Sequence, residues 1–353
     1  MMRRVRRIPL VVALLACMGF ASNASAEPLL RDVVRSGSGE RTTAAVAEWG
    51  GPTVATNGES VMIYFSDAYP QNAALALQWA DFMTSLEHGP ELQTVSIHLG
   101  TLRDVQLRCG TQALACYFSR SATIYASAEN PTADVSAKGA LIHEFGHHLA
   151  ASRLNPPFTS VDYGTKRWAS YENVCARTVA GDLYPGAEDA RHYMLNPGEA
   201  FAETYRVLNE SRLGLAQEAW NIVTTSLYPD PAALSLLEQD ISTPWTADTV
   251  NTLTAKLSTK VHSHTFTVST PLDGTLSVDS KQSGRAKVTV SLLAKGSTVK
   301  STSFSRVTGS PLLTTVCGKR SYKVRVRLAG TAAEIKKLGK KERTTVTLTV
   351  STP

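Results

Sequence analysis

Ala140-Leu141-Ile142-His143-Glu144-Phe145-Gly146-His147-His148-Leu149 is the stretch on which the reading of this chain turns. Its apolar residues recur at helical spacing, and a helix is predicted over Ser136 to Ala151. On that helix His143 and His147, four residues apart, project from one face about one turn apart, close enough to hold the same metal ion. Glu144 lies beside the same face, within reach of a water on that ion. His148 points about 100° away around the helix and reads as a surface or second-layer histidine.

Two histidines leave a catalytic zinc site incomplete, because such sites take three protein ligands and keep one position open for water. The pattern HExxHxxGxxH would need a glycine at position 150 and a histidine at 153; Ala150 and Arg153 stand there and exclude it. The other solution is a carboxylate from a second helix. Asn196-Pro197-Gly198-Glu199-Ala200-Phe201-Ala202-Glu203-Thr204-Tyr205 offers two glutamates on one face at i and i+4, behind a capping Asn and a first-turn Pro.

With these residues the chain resembles the gluzincin metallopeptidases, which combine HExxH with a downstream Glu ligand. The string around Glu199 is similar to the ligand helix of the anthrax lethal factor catalytic domain and its relatives, including the Pro-Pro endopeptidases. The resemblance covers roughly residues 60 to 225 and implies that Glu199 binds zinc while Glu203 orients a ligating histidine, His143, through its outer ring nitrogen. It also implies a tyrosine near the metal shortly before the ligand Glu; Tyr193 is the first candidate and His192 the second. The strand before the HExxH helix, Ala122 to Ala126, would be the sheet edge that pairs with extended substrate. The expected fold is an α+β zincin-like metallopeptidase domain followed by a small all-β sandwich.

Such a ligand set acidifies a zinc-bound water, and Glu144 takes its proton and returns it to the leaving amine. The expected activity is a secreted zinc endopeptidase acting on protein or peptide substrates. Two other readings share the motif: a cell-surface binding or adhesion protein with a structural zinc, and a zinc amidase on cell-wall peptides. Glu144 speaks against the structural site, which would need no base.

Around this centre, residues 1–26 read as a signal peptide: Arg3, Arg4, Arg6 and Arg7 precede an apolar run that ends at Ala24-Ser25-Ala26. Leu14-Leu15-Ala16-Cys17 loosely resembles a lipobox, which leaves a lipid anchor at Cys17 as the alternative to secretion. No later apolar run is long enough for a transmembrane helix. Residues 27–59, rich in Gly, Ser and Thr, read as a leader or linker segment, with an inhibitory propeptide as an open alternative. The metallopeptidase domain is expected over 60–245, a linker over 246–260, and the sandwich over 261–353, where apolar and polar residues alternate.

Helices are further expected at Asn72 to Leu86, Trp168 to Val179, Pro197 to Asn209, Gly214 to Thr225 and Pro231 to Gln239. Cys109 and Cys116 form the natural local disulfide; Cys175 and Cys317 either bridge the two halves or stay as buried thiols. Charge is split: residues 27–260 hold 16 Lys/Arg against 26 Asp/Glu, whereas 261–353 hold 16 against 4. The basic half suits an anionic cell-wall polymer or docking against the acidic half, and its lack of interleaved aromatics disfavours nucleic acid. Asp162 and Glu172 are caps or subsite charges, and His88, His98, His262 and His264 are satisfied or solvent-facing.

Overall fold

A computed structural model describes residues 47–305, 307–337 and 343–353. The signal-peptide reading, the alternative at Cys17 and the leader up to residue 46 lie outside the described residues.

The first half builds one five-stranded sheet from β1 (Glu48–Val54), β2 (Ser60–Ser66), β3 (Ser96–Gly100), β4 (Ala115–Phe118) and β5 (Thr123–Ser127). Its order is β1-β2-β3-β5-β4, with parallel pairing at the centre and antiparallel pairing at both edges. Period-two alternation sends Val61, Ile63, Phe65, Ile97, Leu99, Ile124 and Ala126 to one face, where all are buried. Against them pack α1 (Ala73–Ser85), through Trp79, Phe82 and Met83, and α3 (Ala137–Ala151), through Leu141, Ile142 and Phe145. The opposite face carries the stacked ladder Tyr64, His98 and Tyr125, beside α2 (Leu102–Cys109), which the Cys109–Cys116 disulfide ties to β4.

Two expectations about this sheet are corrected. The leader segment contributes β1, whose Gly50-Gly51-Pro52 hides the strand pattern; Gly50 has φ +117°, and a Cβ there would lie 2.4 Å from the Ile63 carbonyl oxygen. Ala122 to Ala126 is not the edge: β5 lies between β3 and β4, and the short antiparallel β4 takes the outer position.

After α3 come α4 (Ser160–Tyr163), α5 (Lys166–Tyr171), α6 (Val174–Ala180), α7 (Pro197–Leu213) and α8 (Pro231–Ser242). The single helix expected over Trp168 to Val179 is two, because Asn173 adopts a left-handed conformation (φ 55°) between α5 and α6. The helix expected over Gly214 to Thr225 does not form. Gly214 closes α7 in a left-handed cap, and the chain beyond it runs irregularly to a single 3-10 turn at Thr225–Leu227. Asn196 and Asp230 cap α7 and α8 as their sequences require.

The second half is an eight-stranded pair of antiparallel sheets around one apolar core. One sheet has the order β10 (Ser297–Phe304), β9 (Val288–Ala294), β12 (Arg320–Leu328) and β7 (Ser263–Thr270). The other has β11 (Leu312–Val316), β8 (Gly274–Ser283), β13 (Arg343–Thr352) and β6 (Thr249–Ser258). The expected linker 246–260 is therefore mostly strand: β6 pairs with β13 along ten residues. The connection shortens to the residues between α8 and β6. Cys175 and Cys317 form a disulfide across the two halves. Beside it the Asp273 amide donates to Ser170 Oγ at 2.9 Å, and buried Lys166 donates to the Pro156 carbonyl while its Nζ sits 4.6 Å from the Trp245 ring centre. Burial pulls the Lys166 ammonium down to about 8 against the opposing pull of Asp248, Asp273 and Asp240.

α3 is buried on every side, so its fit to α7 is close. At Gly146 an added Cβ would lie 2.9 Å from Ala202 Cα and 3.3 Å from Ala202 Cβ. Gly146→Val should therefore force the helices apart and cost about 3 kcal/mol, read from urea unfolding. A loss below about 1 kcal/mol would mean that this crossing is loose.

Candidate metal centre

The α3–α7 crossing brings together the residues that the two motifs singled out. His143 Nε2 lies 3.1 Å from His147 Nε2 and 3.3 Å from Glu199 Oε2, and His147 Nε2 lies 3.5 Å from the same oxygen. All three residues are buried, and they are the one group of metal-ligating type found among the described residues. The spacing can be tested against a metal. Nitrogen and oxygen ligands about 2.05 Å from a tetrahedral zinc stand about 3.3 Å apart, which matches the three separations. Two imidazole nitrogens and a carboxylate oxygen turned toward one point form a donor set that a divalent cation satisfies.

The neighbouring groups set the chemical state of these donors. His143 Nδ1 is 2.9 Å from Glu203 Oε1, and a carboxylate can only accept there. Nδ1 is therefore the donor of that bond, which leaves Nε2 as the nitrogen facing His147 and Glu199. Burial alone would raise Glu203, yet hydrogen bonds and charge from Arg206 and His143 outweigh it and hold the carboxyl at about 2. Glu203 is thus ionised at neutral pH and fixed in direction.

Sequence reasoning missed what holds Glu203. Arg206, buried on the same helix, donates from Nε and Nη2 to both oxygens of Glu203 at 2.8 and 2.6 Å, and from Nη1 to both oxygens of Glu210 at 2.7 Å. The Glu218 amide also donates to Glu210, and Glu218 Oε1 accepts from the amide and hydroxyl of Ser136, the N-cap of α3. One chain of charge-assisted hydrogen bonds thus runs from the start of the HExxH helix through α7 to His143. The spacing Glu203, Arg206, Glu210 at i, i+3 and i+7 was a visible signal. The role of Glu218 was not visible, since it depends on the segment after α7 being irregular.

Tyr193 is brought to the centre: its hydroxyl donates to Glu199 Oε2 at 3.0 Å. His192 is not among the grouped residues; it pairs with Asp189 and lies against the Tyr184 ring. Glu144 lines a small cavity with His143, Ala115 of the edge strand, Val135 and Ile222. His148, expected at the surface or in a second layer, is buried instead. It bonds to the Tyr117 hydroxyl at 3.0 Å and the Glu91 carbonyl at 2.9 Å, so it fastens α3 to the sheet side of the core. Asp162 bonds to Thr159, and Glu172, pushed up to about 7 by burial, stands near Arg177 and Asp230; neither belongs to the centre.

The sequence matches no protein-family model and no curated protein. Among solved structures, the Yersinia pseudotuberculosis-derived mitogen aligns at 12% identity over 30% of this chain and 87% of its own, with a TM-score of 0.22. PirA aligns at 18% over 25% and 93%, with a TM-score of 0.16. A carbohydrate-binding module in complex with calcium and xylotriose aligns at 15% over 28% and 70%, with a TM-score of 0.13. At such scores these likenesses bear on neither fold nor function.

Arg206→Met removes the guanidinium but keeps its bulk, so Glu203 loses its anchor and two carboxylates lose their counter-charge. Affinity for a divalent metal, measured by chelator competition, should fall by about tenfold or more, and stability by about 3 kcal/mol. Unchanged metal affinity would show that Arg206 does not hold the ligand in place.

Proposed function

We propose that this chain is an exported zinc endopeptidase whose metal is held by His143, His147 and Glu199. The observation that carries the reading is the pairing of a three-membered donor group with Glu144 on the adjacent helix position, beside a cavity. A structural zinc site is closed by a fourth protein ligand; here the donor group has three members among the described residues. The two disulfides support an oxidising compartment outside the cell.

His143, His147 and Glu199 would hold the zinc, which would supply Lewis acidity to the attacking water and to the scissile carbonyl. Glu144 accepts the proton of the attacking water and delivers it to the leaving nitrogen, which turns a poor amide leaving group into a neutral amine. Glu203 holds His143 Nδ1, which turns His143 Nε2 toward His147 and Glu199. Tyr193 donates its one hydroxyl proton to Glu199 Oε2 and so fixes that carboxylate; swung from this bond, the same hydroxyl would be the donor for the oxygen that gains charge in the tetrahedral transition state. Ala115 of the outer strand β4 lines the cavity beside Glu144, so the scissile segment of the substrate is placed next to it. Val135 and Ile222 cover the cavity beside Glu144 and keep bulk water from the reacting proton.

Two variants test the assignment. Glu144→Gln should keep full zinc content by elemental analysis and lose cleavage of an unbiased peptide library by about a hundredfold or more. Persistent cleavage would remove Glu144 as the base, and stoichiometric zinc without cleavage in the wild type would favour the binding-protein reading. Glu199→Ala should lower zinc occupancy far more than Glu203→Ala; the reverse ranking would exchange their roles.

A further inference from the structure

In the sheet β10-β9-β12-β7, none of the four strands contains an Asp or a Glu. Along β12 the inward side chains Tyr322, Val324, Val326 and Leu328 are buried in the sandwich core, so Lys323, Arg325 and Arg327 stand together on the outer face. Successive cations on one face of a strand lie about 7 Å apart, which makes a straight row roughly 14 Å long. The register supplies the surroundings. Arg327 lies between Thr289 of β9 and Ser263 of β7, Arg325 between Ser291 and Thr265, and Lys323 between Leu293 and Thr267. One strand further out, Ser303 pairs with Thr289 and Ser301 with Ser291. The outer face is thus a central row of positive charge with the exposed hydroxyls of Ser263, Thr265 and Thr267 on one side; on the other, Thr289, Ser291 and Leu293 are buried, and exposed Ser301 and Ser303 stand one strand beyond.

Three features give this face a ligand chemistry. No ion pair among the described residues neutralises Lys323, Arg325 or Arg327, and Arg325 Nε is buried without a hydrogen-bond partner. Like charges aligned on one strand repel, and an anion laid across them relieves that repulsion. The aromatic side chains of these strands, Phe266, Tyr322 and Phe304, have the inward parity and pack with the core, so the face has no ring on which a base or a neutral sugar could stack. Among the described residues the junction with the other half is made elsewhere, by Asp273, Cys317 and Trp245, and in the row Lys323 and Arg327 are exposed and Arg325 half-buried. Docking against the acidic half is therefore not what occupies it.

We propose that this sheet face binds a linear, hydroxyl-rich anionic polymer of the cell-wall type, with successive phosphate or carboxylate groups seated on Lys323, Arg325 and Arg327 and its hydroxyls on the exposed serines and threonines of β7 and β10. The proposal is independent of the catalytic reading.

Binding of the full chain to a fluorescently labelled polyol-phosphate teichoic acid and to labelled polygalacturonate, at fixed low salt, tests it. The arm that binds identifies the phosphate or the carboxylate as the recognised group. Lys323→Ser/Arg325→Ser/Arg327→Ser should weaken that binding by about tenfold or more. Lys256→Ser/Lys281→Ser/Arg343→Ser removes the same charge from the outer face of the opposite sheet and should change binding by less than about twofold. Both variants should keep the wild-type thermal melt, since all six side chains leave the core. Equal weakening in the two variants would reduce the effect to net charge and overturn the site. Absence of wild-type binding to both polymers, or tighter binding to single-stranded DNA of matched charge, would overturn it as well.

Discussion

The contact between Gly146 and Ala202 is the constraint on which the rest of the first half depends. Two helices approach this closely only where both present small side chains, and the approach sets how far apart their polar groups lie. His143 and His147 flank the contact on α3, and Glu199 and Glu203 flank it on α7. A side chain at 146 would widen the crossing, and the three candidate donor atoms would no longer stand 3.1 to 3.5 Å apart. The rest of the architecture serves this placement. The sheet supports α3 from behind, His148 fastens it through Tyr117 and Glu91, and Asn196 with Pro197 fixes where α7 begins.

Such a crossing buries charge, and the cost has to be met locally. Glu199, Glu203, Glu210 and Arg206 are all nearly inaccessible to water, a situation that destabilises unless each charge finds a partner. Arg206 supplies two bidentate contacts, and Glu218 passes the network on to the cap of α3. The same bonds that stabilise the carboxylates also orient His143. Stability and the geometry of the candidate metal site are therefore coupled through one guanidinium, and a change at Glu210 or Glu218 reaches that site through this path.

How much of this was legible in the sequence follows from the range of the signals. His143, Glu144, His147, Glu199 and Glu203 lie within single helices, where i to i+4 spacing is written directly into the chain, and the structure brings all of them to one crossing. Tyr193 came from a resemblance alone, and its place beside Glu199 rests on a loop conformation with no local code. The failures share a cause. β1 is interrupted by Gly50-Gly51-Pro52 and forms because β2 offers an edge; β5 is interior because β4 hydrogen-bonds outside it. The Gly214–Thr225 segment has helical composition, but a left-handed Gly214 and the pull of Glu218 toward Ser136 decide otherwise. β6 was read as linker because its neighbour β13 lies some ninety residues later in the sequence. Each miss is a partner that only the folded chain supplies.

Zinc K-edge X-ray absorption on the purified, zinc-loaded protein addresses the central claim directly. The account predicts a first shell of about four nitrogen or oxygen scatterers near 2.0 to 2.1 Å, with the outer-shell pattern of two imidazoles, and the loss of one light scatterer from that shell in Glu199→Ala. A shell containing sulfur, a pattern with other than two imidazoles, or a spectrum unchanged in Glu199→Ala would contradict it.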